Sequence, residues 1–403
     1  MEPLRLGTKV VHAGENRPRA YHAVTTPIVQ CSTYAFEDTV EIQDYLARKE
    51  AGVPDRHEYG RYGNPTQRVA ERRLAELEGA EEALLFATGM SAISTTLMAL
   101  LAQGDHVIVA TSTYRQTRNL VRDHLSRWGI DATFLGDGDI GRLEESIRPS
   151  TRVILCEAPT NPYLRVIDIE RVAEIARKHG VLTAVDATFA TPVNLRPLDL
   201  GIDVVFHSAT KYLGGHNDLL AGFACGSREI LSRVEMARGV MGGVGGPMNA
   251  YLIIRGLKTL ELRVERHNQT AARIAEALAQ HPAVRVVHYP GLASHPDHDV
   301  AKRLFRGFGG VVSFEMEDGA AASRVVDALE IPQIGPTLGG VESMVQQQAI
   351  FISLDEAERR KYGIPDALIR YAVGVEDPDD LAADLRRALD QASGQTTRTE
   401  AGE

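Results

Sequence analysis

At 403 residues the chain exceeds the usual size of a single hydrophobic core, so two domains are expected. Its 44% hydrophobic and 24% charged residues are ordinary for a soluble globular protein, and a net charge of -10 argues against nucleic acid or an anionic membrane as partner. Cys31, Cys156 and Cys225 make no CxxC pair, which argues against a zinc ribbon or a disulfide framework and suits a reducing cytoplasm.

The first 22 residues lack an apolar h-region, so no signal peptide is expected. Residues 1–60 read as an irregular arm, rich in Pro, Thr and Tyr, that wraps a neighbouring subunit. From about Arg68 to Ser232 short β-branched runs alternate with helical patterns. The expected strands are ALLFAT, HVIVAT, TRVILCEA, VLTAVDAT and DVVFHSAT, and IERVAEIARKHG is a helix stopped by Gly180. The uncharged stretch Ala83–Gly104 contains Gly89 and five Ser/Thr residues, so strand, turn and helix explain it better than a membrane span. This alternation predicts a doubly wound, mostly parallel α/β sheet in a large domain spanning 61–255. A Gly-rich loop over Gly239–Pro247 precedes a long helix, and then VRVVHYP, GGVVSFEME and AAASRVVDALE predict a smaller C-terminal α/β domain over 256–390. The last stretch, 391–403, reads as a disordered tail.

Four segments carry chemistry. In HSATKYLGGHND a strand ends in Ser208, Thr210 and Lys211, where hydroxyls suit a phosphate and an amine could form an imine; a surface lysine after a strand is the plainer reading. In VLTAVDATFATP an apolar strand would bury Asp186, which then needs a cationic partner such as the ring nitrogen of pyridoxal 5′-phosphate (PLP), unless it caps the next turn. In FATGMSAIS a strand runs through Gly89 into a helix start, an anion site in principle but a common turn by itself. In EYGRYGNPT, Tyr59 and Arg61 could reach the same phosphate, or Gly63, Asn64 and Pro65 could simply make a turn.

Together these segments resemble the Cys/Met-metabolism family of fold-type-I PLP enzymes from about Thr8 to Leu389, with APTNP, NAYLIIRGLKTLELRV, GFGGVVSFE and VGVEDPDDL pointing to its plant-type cystathionine γ-synthase branch. The resemblance implies a PLP-dependent transferase in which Lys211 forms the Schiff base and carries protons. It implies that Asp186 holds the pyridinium nitrogen, with Thr188 beside it, and that Gly89, Met90, Ser208 and Thr210 bind the phosphate. Tyr59 and Arg61 would reach that phosphate from a neighbouring subunit, implying a homotetramer built from site-sharing dimers. Tyr114 would stack on the ring and assist proton transfer, Asn161 would lie near the phenolic oxygen, and Arg370 and Ser343 would receive the substrate carboxylate. The implied reaction is γ-substitution on an O-acyl- or O-phospho-homoserine through a vinylglycine-type intermediate, with cysteine giving cystathionine; the alternatives are cystathionine or methionine γ-lyase-type elimination, or γ-substitution with a different nucleophile in specialised metabolism. Small amino acids are the expected partners, and no metal.

Three segments depart from the pattern. Gln346, Gln347 and Gln348 replace an acid and a proline, Gly246 replaces an asparagine, and Gln116 stands where plant-type relatives carry lysine. A rebuilt pocket for the incoming nucleophile is the expectation. His295 and His298 have metal-like spacing but read as part of a polar loop.

Overall fold

The computed structural model describes residues 4–15, 18–52, 56–110, 112–352, 359 and 363–394. Among these, seven strands form the larger sheet: β1 (Glu82–Phe86), β2 (His106–Val109), β3 (Asp131–Phe134), β4 (Thr151–Glu157), β5 (Leu182–Asp186), β6 (Val204–Ser208) and β7 (Gly222–Gly226). Their order is β1-β7-β6-β5-β4-β2-β3. Pairing is parallel from β3 through β6, and β7 runs antiparallel to both β1 and β6.

Strand alternation divides the core between the two faces. Leu84, Phe86, Val107, Val109, Val153, Leu155, Ala184, Val204 and Phe206 bury one face against the helix Gly89–Leu100. Leu85, Ile108, Ile154, Cys156, Val185 and Val205 turn the opposite way, toward the helices Pro65–Glu78 and Ile169–His179. Strands this apolar on both faces suit a sheet covered by helices on both sides. The parity also decides what emerges at the carboxyl ends. Glu157, Asp186 and Ser208 all continue the face that carries the helix Gly89–Leu100.

The second sheet has the order β10-β11-β12-β9-β8, from β8 (Val286–His288), β9 (Val311–Glu315), β10 (Gln333–Ile334), β11 (Met344–Gln347) and β12 (Leu368–Ala372). The helices Pro247–Leu257 and Leu260–Ala279 lead into it, so Arg255 lies within the connecting helix pair. Ile254, Leu257, Leu260, Val312, Phe314 and Ile369 belong to the same buried cluster as the first sheet's lower face.

Several expectations need correction. The arm before Arg61 is not irregular throughout. Asp38 caps a helix over Thr39–Glu50 by accepting from Glu41 N–H at 2.8 Å, and the Glu41 side chain reaches back to Glu37 N–H at 2.6 Å. The helix Leu6–His12 is clasped to its own subunit, because the buried Arg73 donates to Ala13 O at 2.9 Å and pairs with Glu15 at 2.9 Å. The glycine-rich loop is shorter than expected, since Gly239–Met241 end the helix Arg228–Met241. The helix Pro378–Ala392 takes in the first residues of the expected tail, whose residues 395–403 lie outside the described residues. β3 and β7 were not expected. β7, GFACG, is poor in strand propensity because of its two glycines, but Gly222 is required there: a Cβ would sit 2.3 Å from Thr88 O.

β1 is locked to two helices by a buried ion pair. Arg238 Nη1 donates to Glu71 Oε1 at 2.7 Å and to Leu85 O at 2.7 Å, while Leu85 N–H donates to Glu71 at 3.0 Å. Replacing Arg238 with Met leaves Leu85 O unpaired and Glu71 with Arg68 as its remaining basic partner, so a loss of about 3 kcal/mol is expected in urea unfolding, and a loss under about 1 kcal/mol contradicts the lock.

Candidate active site

Ligands bind beyond the carboxyl ends of parallel strands, and the chemistry-bearing residues of this chain gather there. Asp186 ends β5 and Ser208 ends β6. Asp186 Oδ1 accepts from Thr188 N–H at 3.0 Å and from the Thr188 hydroxyl at 2.6 Å; the Thr188 oxygen then accepts Ser208 N–H at 2.8 Å. Two strand ends are thereby tied through one threonine. Burial raises the Asp186 carboxyl above its ordinary value, and the two Thr188 hydrogen bonds oppose that rise. No lysine or arginine of the described residues pairs with it.

Lys211 follows β6 and is half-buried, its Nζ donating to Thr337 Oγ1 at 3.0 Å. Burial, with the nearby Arg370 charge, brings its amine down to about 8. Arg370, on β12, is 3% exposed. It donates to Thr337 O and Pro336 O at 3.1 Å each and to Asn161 Oδ1 at 3.3 Å, while its Nε has no protein partner. Burial lowers its pKa to about 10, and no carboxylate is among its partners. Thr337 thus joins the amine and the guanidinium, through its hydroxyl and its carbonyl.

The helix Gly89–Leu100 begins against Ser208. A Cβ on Gly89 would lie 2.9 Å from Ser208 Cβ, so only glycine permits this approach. The Thr88 hydroxyl accepts Ser91 N–H at 3.0 Å, leaving the Gly89 and Met90 N–H groups at the open first turn beside the Ser208 hydroxyl. Met90 turns its sulfur to the Thr117 hydroxyl at 3.7 Å. The Thr210 hydroxyl is shared with the backbone of Ala221, accepting its N–H at 3.1 Å. Tyr114 caps the short helix Arg115–Asn119 with its ring exposed, close enough to Arg370 to interact with its charge.

Not every expected residue converges here. The contacts of Tyr59 and Arg61 within the chain lie elsewhere: the Arg61 guanidinium donates to Gly239 O and lies over the rings of Tyr59 and Tyr62. The Ser343 hydroxyl does not face Arg370. It donates to Glu376 Oε2 at 2.9 Å and accepts Gly374 N–H at 2.8 Å, and Ser343 N–H donates to Glu376 Oε1 at 2.6 Å. Glu376 holds it in the turn that enters β11.

Of the departing glutamines, Gln347 belongs to the scaffold, donating to Gly319 O and Asp366 O and accepting from the Ser323 hydroxyl. Gln346 is the cross-strand partner of Arg370, is buried, and donates to Gln348. Gln116 and Gly246 are exposed. Two residues near the cleft were missed. Thr337 carries no signal in sequence. Glu157, which ends β4 directly opposite Asp186, carries the same signal as Asp186: a carboxylate closing an apolar strand.

The donor set fits PLP. An acid with no lysine or arginine partner among the described residues suits a cationic ring nitrogen, an amine of lowered pKa suits an aldehyde carbon, and an open helix start beside a hydroxyl suits a phosphate. The closest approach of Gly89 to Ser208 leaves no side chain in that corner. Comparison with known proteins agrees. The chain is 47% identical over 390 residues to cystathionine gamma-synthase 1, chloroplastic, of Nicotiana tabacum, covering 95% of this chain and 72% of that protein. It is 40% identical to a cystathionine beta-lyase of Lactococcus lactis, over 95% of this chain and 98% of the relative. Its fold matches the crystal structure of metB from Corynebacterium glutamicum with a TM-score of 0.89 at 33% identity, over 96% of this chain and 98% of that one. With the family model for the Cys/Met metabolism PLP-dependent enzymes matching residues 7–390, the chain belongs to that family.

Proposed function

We propose that this enzyme carries out γ-substitution on an activated homoserine, an O-acyl or O-phospho ester, with L-cysteine as the nucleophile and cystathionine as the product. The observation that carries the reading is the Lys211–Thr337–Arg370 arrangement: a proton-transfer amine held beside a guanidinium that has no acid of its own. An α-amino acid bound by its carboxylate at Arg370 has its Cα and side chain within the territory of that amine. The similarity to cystathionine gamma-synthases supports the substrate assignment.

When bound, PLP supplies an electron-withdrawing ring that makes the protons of the substrate's α and β carbons removable. The residues of this chain do the rest. Lys211 takes and returns protons at Nζ, for which a pKa near neutrality is the useful range. Asp186, oriented by Thr188, holds the positive ring nitrogen. Ser208, Thr210 and the Gly89 and Met90 N–H groups bind the phosphate. Tyr114 covers the ring, Asn161 orients both cofactor and Arg370, and Arg370 clamps the carboxylate as a two-pronged donor. Ser343 serves by fixing the turn into β11, the strand that faces Arg370.

Tyr59 and Arg61 enter the proposal as residues offered to a neighbouring subunit, making a dimer the smallest active unit and a tetramer of two such pairs the expected assembly. The exposure of Tyr59, Tyr62 and Val240 around Arg61 supports a partner there. We divide the chain into an arm over 1–60, a PLP-binding domain over 61–255 and a C-terminal domain over 256–390. No helix of the described residues is long and apolar enough to cross a membrane. Its buried free thiols, Cys156 and Cys225, support a cytoplasmic enzyme.

Elimination at the γ-carbon is the second reading, supported by the 38% identity to an L-methionine gamma-lyase of Fusobacterium nucleatum. Incubation with each homoserine ester, with and without cysteine, separates the two by mass spectrometry. Cystathionine is expected with cysteine and 2-oxobutanoate without it; 2-oxobutanoate alone in both cases overturns substitution. A second outcome follows from the Lys211 environment. In cofactor-free protein, covalent modification of Lys211 should rise with pH through a midpoint of about 8, because the deprotonated amine is the reactive form. A midpoint above 10, where an ordinary lysine titrates, contradicts the buried setting.

A further inference from the structure

Glu157 is the carboxylate of the strand ends that the proposed mechanism does not use. It closes β4, pairs in register with Asp186, and shares the sheet face of Asp186 and Ser208. It is 5% exposed. Its Oε2 accepts Tyr114 N–H at 2.5 Å, and Asn161 N–H also donates to it. These two residues sit on separate turns, one following β2 and one following β4. Each turn faces Arg370: the Asn161 side chain accepts its Nη1 at 3.3 Å, and the Tyr114 ring lies within reach of its charge. The Tyr114 ring is itself exposed, so its placement relative to the sheet depends on how its backbone is tied.

We infer that Glu157 is a positioning residue of this site: its carboxyl holds the Tyr114 and Asn161 turns together against the end of β4, and so sets where both side chains stand relative to Lys211 and Arg370. This rests on the function proposed above.

The form in which it acts follows from its surroundings. The charged groups that act on it include Asp186, from β5, and Asp137, from the loop after β3, both acids. Burial and these like charges push its carboxyl well above the ordinary carboxylate range. Asp186 is the one next to which a cationic ring nitrogen fits, so the neutral form is favoured at Glu157 more than at Asp186. A neutral carboxyl still accepts the two backbone N–H groups through its oxygens. An amide of the same length keeps one acceptor oxygen in reach of Tyr114 N–H, whereas a side chain one methylene shorter draws back from it.

The test compares Glu157→Gln with Glu157→Asp in the holoenzyme, measuring kcat, KM and the visible circular dichroism of the bound cofactor, which reports how the surrounding groups sit against it. Wild-type turnover in the same assay checks the underlying functional reading separately; only the differences between variants bear on Glu157. The Gln variant should keep kcat within about threefold and the wild-type dichroism, while the Asp variant should lose kcat by at least about tenfold with an altered dichroism, as expected for a displaced catalytic group. An Asp variant that matches wild type in rate and dichroism overturns the inference, as does a Gln variant as impaired as the Asp variant.

Discussion

The site depends on a constraint of parallel sheets: neighbouring strands that run the same way end on the same side, and residues in register share a face. Glu157 stands opposite Asp186 at the ends of β4 and β5, and the Asp186–Thr188–Ser208 chain of hydrogen bonds ties β5 to β6. Once the apolar residues of these strands are assigned to the two core faces, the polar residue at each end has no choice of direction. It emerges toward the start of the helix Gly89–Leu100. The approach of Gly89 to Ser208 completes the same corner from the other side.

Burial then gives those groups their chemistry. Lys211 loses hydration and gains the neighbouring charge of Arg370, which favours the neutral amine. Arg370 is buried against carbonyl oxygens instead of an acid, so a carboxylate from outside completes its pairing. Asp186 is held by hydroxyl and amide groups and not by a lysine or arginine of the described residues. Each arrangement is unfavourable for folding taken alone and useful for holding a charged cofactor and a charged substrate. The stabilising counterparts lie on the opposite face and at the edge of the sheet, where Arg238 meets Glu71 and Arg73 meets Glu15.

Much of this was legible in the sequence, and for identifiable reasons. Asp186 announces itself as a polar residue closing an apolar strand and Lys211 as an amine just beyond another, and both strands are rich enough in β-branched residues to be read as strands. Glu157 carries the same signal at the end of TRVILCEA, but no cofactor atom of matching charge points to it. β7 was hidden because its sequence, GFACG, carries two glycines that close contacts demand, against local strand propensity. The helix Thr39–Glu50 was hidden by the Pro-rich chain around it, although its Asp38 cap and Glu41 were in plain view. Thr337 has no sequence signal at all: its role comes from the second sheet bringing the β10–β11 connection over Lys211, a tertiary fact. The hydroxyl of Ser343 illustrates the opposite case, a side chain of suitable type whose neighbour Glu376 commits it elsewhere.

The central claim is that Lys211 is the residue that holds the cofactor. Borohydride reduction of the holoenzyme fixes any imine as a stable amine, and peptide mass spectrometry then locates it. The account places the added pyridoxyl mass on the peptide containing Lys211 and on no other; a modified lysine elsewhere, or an unmodified Lys211 in fully loaded enzyme, would contradict it.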